Sequence, residues 1–97
     1  MVERDKLVAM VQRLQRGEQD AASELYESFQ KDIYYFILKT VNNDRELAED
    51  LTQDTFMEIL ETIDKLQEPA AFVTWSKQIA YHKCTAYLRM RTELLVE

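Results

Sequence analysis

The fold is decided by the segment that covers residues 20–41 and reads DAASELYESFQKDIYYFILKTV. Its apolar side chains recur every three or four residues, which is the spacing that places side chains on one face of an α-helix. The resulting stripe is the longest in the chain and comprises Ala22, Leu25, Tyr26, Phe29, Ile33, Phe36, Ile37, Thr40 and Val41. The segment therefore predicts a long amphipathic helix.

The segments on either side show the same spacing, and each is bounded by a recognisable helix signal. Gly17 is a stop signal for a first helix, and Pro69 suits the first turn of a fourth. Asn43 can cap a third helix, with Glu46 three residues on as in a capping box. The predicted helices cover about residues 5–16, 20–41, 44–63 and 69–91. We therefore expect an all-α, compact four-helix domain over residues 1–97.

Length and composition exclude several classes of protein. With 97 residues the chain suits one small domain, and its single cysteine excludes a disulfide framework and a cysteine-only zinc site. No run approaches the roughly 18–20 apolar residues of a membrane span, and the first residues lack the pattern of a signal peptide. We therefore expect no membrane contact. We also expect a cytoplasmic protein, because a lone cysteine is typical of a reducing compartment.

The net charge of −6 is distributed unevenly along the chain. Residues 44–68 carry nine acidic and two basic side chains, whereas residues 69–97 carry two acidic and four basic ones. Both acids of the second segment lie beyond Arg91, so more than twenty residues before them are purely basic. Such an asymmetry between neighbouring segments is a clue to function.

Helix three separates into two faces when its residues are placed at 100° intervals. Its inward arc holds Ala48, Leu51, Thr55, Phe56, Ile59 and Ile63. Its outward arc holds Glu46, Asp50, Gln53, Asp54, Met57, Leu60, Glu61 and Asp64. A charged outer face is often only solvated, but Met57 beside Leu60 among carboxylates also fits a docking surface for a basic partner. Both interpretations stay open on the pattern alone.

Helix four separates in the same way. Its inward arc holds Phe72, Trp75, Ser76, Ile79, Ala80, Ala86, Tyr87 and Met90. Its outward arc holds Thr74, Lys77, Gln78, Tyr81, His82, Thr85 and Arg89. These outward side chains are the types that contact phosphates and bases, and Tyr81 could stack on an unpaired base, although they would equally suit a soluble surface. Lys83 falls on the inward arc, so it must reach past its neighbours or pair with an acid from another helix.

Several stretches together carry a resemblance to a known family. Residues 14–21 read LQRGEQDA, residues 44–56 read DRELAEDLTQDTF and residues 71–75 read AFVTW. With these, the chain resembles region 2 of bacterial sigma factors, most closely the extracytoplasmic-function (ECF) group, over about residues 7–91. The acidic-leucine-x-glutamine-acidic stretch followed by Phe-x-Thr-Trp is specific as a combination. Helix four is less basic here than in many of these proteins.

The resemblance implies a transcription initiation factor with two partners. In the family the third helix docks on the clamp helices of the RNA polymerase β′ subunit; here those residues are Asp50, Gln53, Asp54, Phe56, Met57 and Leu60. The loop before helix four takes up a base flipped from the promoter −10 element, and helix four contacts the DNA. The corresponding residues are Leu66, Gln67, Glu68, Ala71, Trp75, Lys77, Gln78, Tyr81 and Arg89. Gln78 and Tyr81 would meet base edges, and Lys77 and Arg89 would meet phosphate.

Other functions are weighed against this one. An enzyme is not expected, because His82 and Cys84 project about 200° apart and the carboxylates form no acid–base pair. No cofactor or metal is expected either. A rival function is a protein-interaction module that binds polymerase or an anti-sigma factor without reading DNA. No segment corresponds to region 4, the reader of the −35 element, so an excised domain and a naturally short relative both stay open.

Overall fold

A computed structural model describes residues 3–95, and this part of the chain is a bundle of four α-helices without strands. The helices are α1 (Arg4–Gln15), α2 (Asp20–Thr40), α3 (Arg45–Thr62) and α4 (Phe72–Leu95), with 3-10 turns at Ile63–Lys65 and Pro69–Ala71. The all-α prediction is thus confirmed. Among the described residues, none of the helices combines the length and the apolar character that crossing a membrane requires.

The α2 helix is the centre of the bundle, because it packs against all three other helices. The α3 and α4 helices also pack against each other, while α1 packs against α2 and against both 3-10 turns. The core is built from aliphatic side chains of every helix around two rings, Phe29 and Phe72, which are tilted by 57° to each other with their centroids 5.4 Å apart. Its fully buried members include Val11, Leu25, Ile33, Ile37, Ile59 and Cys84.

The turn from α1 to α2 is closed by charged side chains. Arg13 donates from Nε to Glu18 Oε1 at 3.1 Å and from Nη1 to Glu24 on α2. Hydrogen bonding to Arg13 lowers the pKa of the Glu18 carboxyl below its ordinary value. Gly17 lies between them at φ 90°, a left-handed conformation that glycine adopts without steric cost.

The turn from α2 to α3 differs from the prediction. Asn42 and Asn43 have φ values of 57° and 64°, so Asn43 turns the chain rather than capping α3. The N-cap is Asp44, whose Oδ1 accepts a hydrogen bond from the backbone N–H of Leu47 at 3.2 Å. Asparagine tolerates the left-handed region better than most residues, and a capping carboxylate also interacts favourably with the helix dipole. The predicted cap was therefore one residue too early.

The Asp44 cap gives a prediction for stability. Replacing Asp44 by alanine should lower the free energy of unfolding by about 1 kcal/mol, because the N–H of Leu47 loses its acceptor. Glu49→Ala is the matched control: this exposed acid lies in the same helix away from the cap, and its loss should change stability by less than about 0.5 kcal/mol. Urea unfolding followed by circular dichroism measures both, and equal midpoints for the two variants would contradict the cap.

The fourth helix begins and ends later than predicted. Pro69 lies in a separate 3-10 turn, so α4 begins at Phe72, and it continues to Leu95 rather than ending near residue 91. Residues 88–95 are all exposed, and Met90, predicted to face inward, is exposed with them. Ala86, also predicted inward, is exposed as well. The residues predicted to face inward recur at helical spacing as far as Met90. However, no other helix among residues 3–95 packs over this end of α4 and buries them.

Candidate functional site

The outer surface of α3 presents apolar side chains among carboxylates. Asp50, Gln53, Asp54, Met57 and Leu60 are all exposed, and we call these five residues the acidic face. Met57 is 60% exposed and Leu60 is 42% exposed. Neither Asp50 nor Asp54 forms an ion pair within the described part of the chain. The predicted outward placement is confirmed for these five residues, and it leaves both charge and apolar area available to a partner.

Phe56 is the exception among the residues assigned to polymerase contact. Its ring is only 4% exposed and packs edge-on against Tyr26, with the ring centroids 5.0 Å apart. Its side chain therefore supports the acidic face from inside and is not part of the surface, which corrects the prediction. The exposed aromatic beside this face is instead Tyr26 of α2, which was predicted to lie inward. Tyr26 lies next to Leu25 at the edge of the α2 stripe, where helical periodicity gives no clear assignment.

A groove lies next to the acidic face, between α2 and α3. It has a volume of about 230 Å³ and is lined by Tyr26, Gln30, Tyr34, Glu49, Thr52 and Gln53. The hydroxyl of Thr52 is buried and donates to the carbonyl of Ala48 at 2.6 Å, so it is satisfied within its own helix. The exposed polar groups of this groove are therefore Gln53, Glu49 and the α2 side chains. Gln53 was predicted from the sequence to contact a partner, whereas the α2 residues that line this groove were not.

The outer surface of α4 forms a second groove, of about 290 Å³, against α2. It brings together three of the predicted DNA-contacting residues, Lys77, Gln78 and Tyr81, and its full lining is Phe36, Thr74, Lys77, Gln78, Tyr81 and His82. We call it the α4 groove. Tyr81 is 52% exposed, so its ring is available for contact. Phe36 also lines this groove, although the sequence predicted it only as a member of the apolar stripe of α2.

Two cations lie in different positions relative to the α4 groove. The Lys77 Nζ lies 5.8 Å from the centroid of the Phe36 ring, a cation–π contact that holds the half-buried lysine at the groove. Arg89 is exposed but does not line the groove. It lies two helical turns beyond Tyr81, about 12 Å along the helix axis. The structure therefore brings Lys77 together with Gln78 and Tyr81 but leaves Arg89 apart.

The loop between α3 and α4 is partly surface and partly core. Gln67, Glu68 and Ala71 are exposed, whereas Leu66 is only 8% exposed and belongs to the core. The Leu66 side chain is thus unavailable to DNA, which corrects that assignment. Trp75 is half-buried, and its ring lies 6.1 Å from that of Phe72. Leu66 directly follows the 3-10 turn Ile63–Lys65, and its side chain packs in the hydrophobic core.

A larger cleft lies on the other side of Lys77 and extends to α1. Its volume is about 540 Å³, and its apolar walls come from α1, α2 and the start of α4, with Arg4, Asp32 and Tyr35 adding polar groups. Pro69 and Ala70 of the second 3-10 turn also line it. Thr74 and Lys77 line both this cleft and the α4 groove, so the two are adjacent. No sequence pattern pointed to the cleft, because its walls come from four separate segments.

An ion pair links α3 to α4 beneath the two faces. The Nζ of Lys83 lies 2.9 Å from Oε1 of Glu58, and both side chains are half-buried. Of the two alternatives expected for Lys83, the structure shows the second, a pair with an acid from another helix. The pair removes one cation and one carboxylate from the free surfaces, so the positive side chains left facing out along α4 before Arg91 are Lys77 and Arg89.

Cys84 is a core residue, and its burial gives a second prediction. Desolvation raises the pKa of its thiol, so less reactive thiolate is present at a given pH than in an exposed cysteine. We expect 5,5′-dithiobis(2-nitrobenzoate) at pH 8 to label Cys84 at least about tenfold more slowly in the folded chain than in urea. Equal rates would contradict the burial. Within residues 3–95, no three His, Cys, Asp or Glu side chains cluster as metal ligands would.

Comparison with known proteins gives the family. The profile of sigma-70 region 2 matches residues 25–93, which covers most of α2, all of α3 and almost all of α4. The chain is 36% identical over 58 residues to the ECF RNA polymerase sigma factor BldN of Streptomyces coelicolor. That alignment covers 60% of this chain and 22% of the relative. No solved structure gives a significant match. With the helix order and the two outer faces described above, these matches show that the chain belongs to the sigma-70 region 2 family and resembles its ECF group.

Proposed function

We propose that the domain docks on the β′ clamp helices of RNA polymerase core through its acidic face and opens the promoter −10 element with α4 and the preceding loop. The observation that carries this proposal is the juxtaposition of two exposed faces of different chemistry on packed neighbouring helices. The acidic face on α3 carries Asp50 and Asp54, whereas the α4 groove carries Lys77 and Tyr81 and no acid. One rigid unit can thus hold two partners at once.

The acidic face has the composition of a docking surface. Met57 and Leu60 supply apolar area that gains free energy when a partner covers it. Asp50 and Asp54 flank them and would steer a basic partner and fix its orientation. Gln53 adds donors and acceptors at the rim of the neighbouring groove. Phe56 contributes indirectly, because its buried ring holds the Tyr26 ring beside the surface.

The α4 groove has side chains suited to single-stranded DNA. The exposed Tyr81 ring offers a stacking platform, and Gln78 offers an amide for a base edge. Lys77 and Arg89 would contact phosphates on either side of the stacked base. Gln67, Glu68, Ala71 and Trp75 lie at the loop and the start of α4, and in this proposal they take up the extruded base. Unstacking a base costs a few kcal/mol, which stacking and a pocket can offset.

The charge distribution favours an order of binding in which the domain binds polymerase first and DNA second. The chain as a whole carries a net charge of −6, so the free domain should bind duplex DNA weakly at physiological salt. Docking would cover the carboxylates of the acidic face and leave the α4 groove turned to the DNA. The half-buried Lys83–Glu58 pair and the packing of α3 against α4 join the two helices that carry the two faces.

Capture and opening assays test this proposal together. Immobilised chain should retain core RNA polymerase, and adding the chain to core should make thymines of a −10 element reactive to permanganate. Core without the chain and chain without core are the controls, and neither should give opening. Retention of polymerase without any permanganate reactivity at a range of −10 sequences would refute the DNA half of the proposal.

A second candidate function is a protein-interaction module that binds polymerase or an anti-sigma factor without reading DNA. It is favoured by the weak positive character of the DNA-facing side: Lys77 is half-buried against Phe36, and Glu68 adds a negative charge to the exposed loop. This candidate predicts the retention of polymerase without opening described above. It also predicts that an anti-sigma partner and polymerase compete for the same acidic face.

A further inference from the structure

The α1 helix is tied to the loop between α3 and α4 by one side chain. Gln15, the last residue of α1, donates from Nε2 to the carbonyl oxygen of Ile63 at 3.0 Å and to that of Leu66 at 2.8 Å. These partners are 48 and 51 residues away along the chain. Within residues 3–95, no other side chain makes a hydrogen bond to residues 63–68.

Few other hydrogen bonds hold the backbone N–H and C=O groups of this loop. The N–H of Leu66 bonds to the carbonyl of Ile63 at 3.1 Å, and the N–H of Ala71 bonds to the carbonyl of Glu68 at 2.9 Å. Carbonyl groups at a helix end lack partners within the helix and must find them elsewhere. The amide of Gln15 supplies that partner at both ends of the first 3-10 turn, where Leu66 enters the core. Loss of the amide would leave the part-buried carbonyl of Leu66 unpaired, whereas the carbonyl of Ile63 would keep the N–H of Leu66.

The position of this contact connects it with the proposed DNA surface. Immediately after Leu66 the chain leaves the core, and the exposed residues Gln67 and Glu68 lead into the 3-10 turn Pro69–Ala71 and then α4. The direction in which the loop leaves the bundle is therefore set where Gln15 holds it. Gln15 also lies outside the range that the family profile matches, which begins at residue 25.

We infer that Gln15 is a positioning residue: it holds the loop in the conformation that receives DNA, without touching DNA itself. The inference rests on the proposed function for its consequence in promoter opening, but not for its consequence in loop dynamics. A glutamine suits this role because its amide donates two hydrogen bonds in a fixed plane and carries no charge that would attract phosphate. Through Gln15, the α1 helix would support the proposed DNA surface without being part of it.

Two substitutions and one control test the inference on the full chain. Gln15→Leu keeps the approximate volume and removes both donors, whereas Gln15→Lys keeps N–H donation to carbonyls. Gln12→Leu is the matched control, since Gln12 is an exposed glutamine of the same helix. Hydrogen exchange by mass spectrometry reports the backbone of residues 63–71. Promoter opening with core polymerase and binding to a β′ clamp-helix fragment are measured on the same samples.

The expected result is a selective one. Gln15→Leu should speed exchange in residues 63–71 by about tenfold, as loss of a hydrogen-bonded tie to the loop would allow. Opening should fall by a similar factor, while binding to the clamp-helix fragment stays within about twofold of the unchanged chain. Gln15→Lys should recover part of both losses, and Gln12→Leu should leave all three measurements unchanged.

The other outcomes separate the inference from the proposed function. Unchanged exchange in a folded Gln15→Leu chain would overturn the inference, as would faster exchange with undiminished opening. Equal losses in opening and in fragment binding would also overturn it, because they would indicate general destabilisation. If the unchanged chain opens no promoter but Gln15→Leu still loosens the loop, the proposed function fails and the role of Gln15 in positioning the loop is supported.

Discussion

Reversing the charge of Asp50 and Asp54 to lysine should weaken binding to a β′ clamp-helix fragment by roughly 30- to 150-fold, equivalent to about 2–3 kcal/mol. Each exposed carboxylate contributes up to about 1 kcal/mol through attraction to a basic partner, and a lysine in its place adds repulsion of similar size. The effect should also be visible in the salt dependence. The unchanged chain should lose affinity between low and high salt, and the variant should lose much less, because the screened interaction has been removed.

The matched control reverses two acids on a different face. Glu3 and Glu27 are exposed and line a groove between α1 and α2, so Glu3→Lys with Glu27→Lys changes the net charge equally without touching the acidic face. Binding by this control should stay within about threefold of the unchanged chain, since surface charges beyond a Debye length are largely screened. Fluorescence anisotropy with a labelled fragment measures both variants. Equal weakening of the two would show that net charge, and not the α3 surface, determines binding.

Replacing Tyr81 by alanine should reduce opening of a −10 element by about 5- to 150-fold, the range that the loss of one stacked base gives. The ring is half-exposed in the α4 groove and is not part of the core, so the fold should be retained. Polymerase binding should change by less than about twofold, because Tyr81 lies on α4 and the acidic face lies on α3. A 2-aminopurine reporter in the −10 element follows opening, and anisotropy follows polymerase binding.

Tyr81→Phe distinguishes stacking from hydrogen bonding at this position. It keeps the ring and removes the hydroxyl, so opening should stay within about threefold of the unchanged chain if stacking dominates. Equal losses in opening and polymerase binding for Tyr81→Ala would instead indicate a folding defect. Undiminished opening with Tyr81→Ala would exclude the ring as a stacking platform, and other residues of the α4 groove or the preceding loop would have to carry the opening.

The two outer faces could be predicted because each belongs to a single helix. Asp50, Gln53, Asp54, Met57 and Leu60 are exposed as expected, and so are Gln78, Tyr81 and Arg89. Side chains three or four residues apart share a face whatever the helix packs against, so this part of the site is a local property. The prediction was wrong where α4 extends beyond the helices that pack against it. Met90 has the periodicity of an inward residue, but no helix among residues 3–95 covers it.

The features that depend on two or more segments were not predictable in this way. Tyr26 lies at the edge of its stripe, and the packing of α2 on α3 leaves it exposed against the ring of Phe56, whose burial the inward arc of helix three had predicted. Phe36 joined the α4 groove, and Leu66 entered the core, through the same kind of long-range packing. The rotation of each helix about its axis is set by how side chains of neighbouring helices interlock.

Spacing and composition alone were enough to predict that the protein is helical, where its helices lie to within a few residues, and which helix carries negative and which positive charge. These properties follow from residue spacing and composition, which act over a turn or two of chain. The hydrogen bonds from Gln15 to the carbonyls of Ile63 and Leu66, and the contact of Lys77 with Phe36 at the α4 groove, became visible in the folded chain alone. Such contacts join residues far apart in sequence, and they exist only once packing has fixed the helices relative to one another.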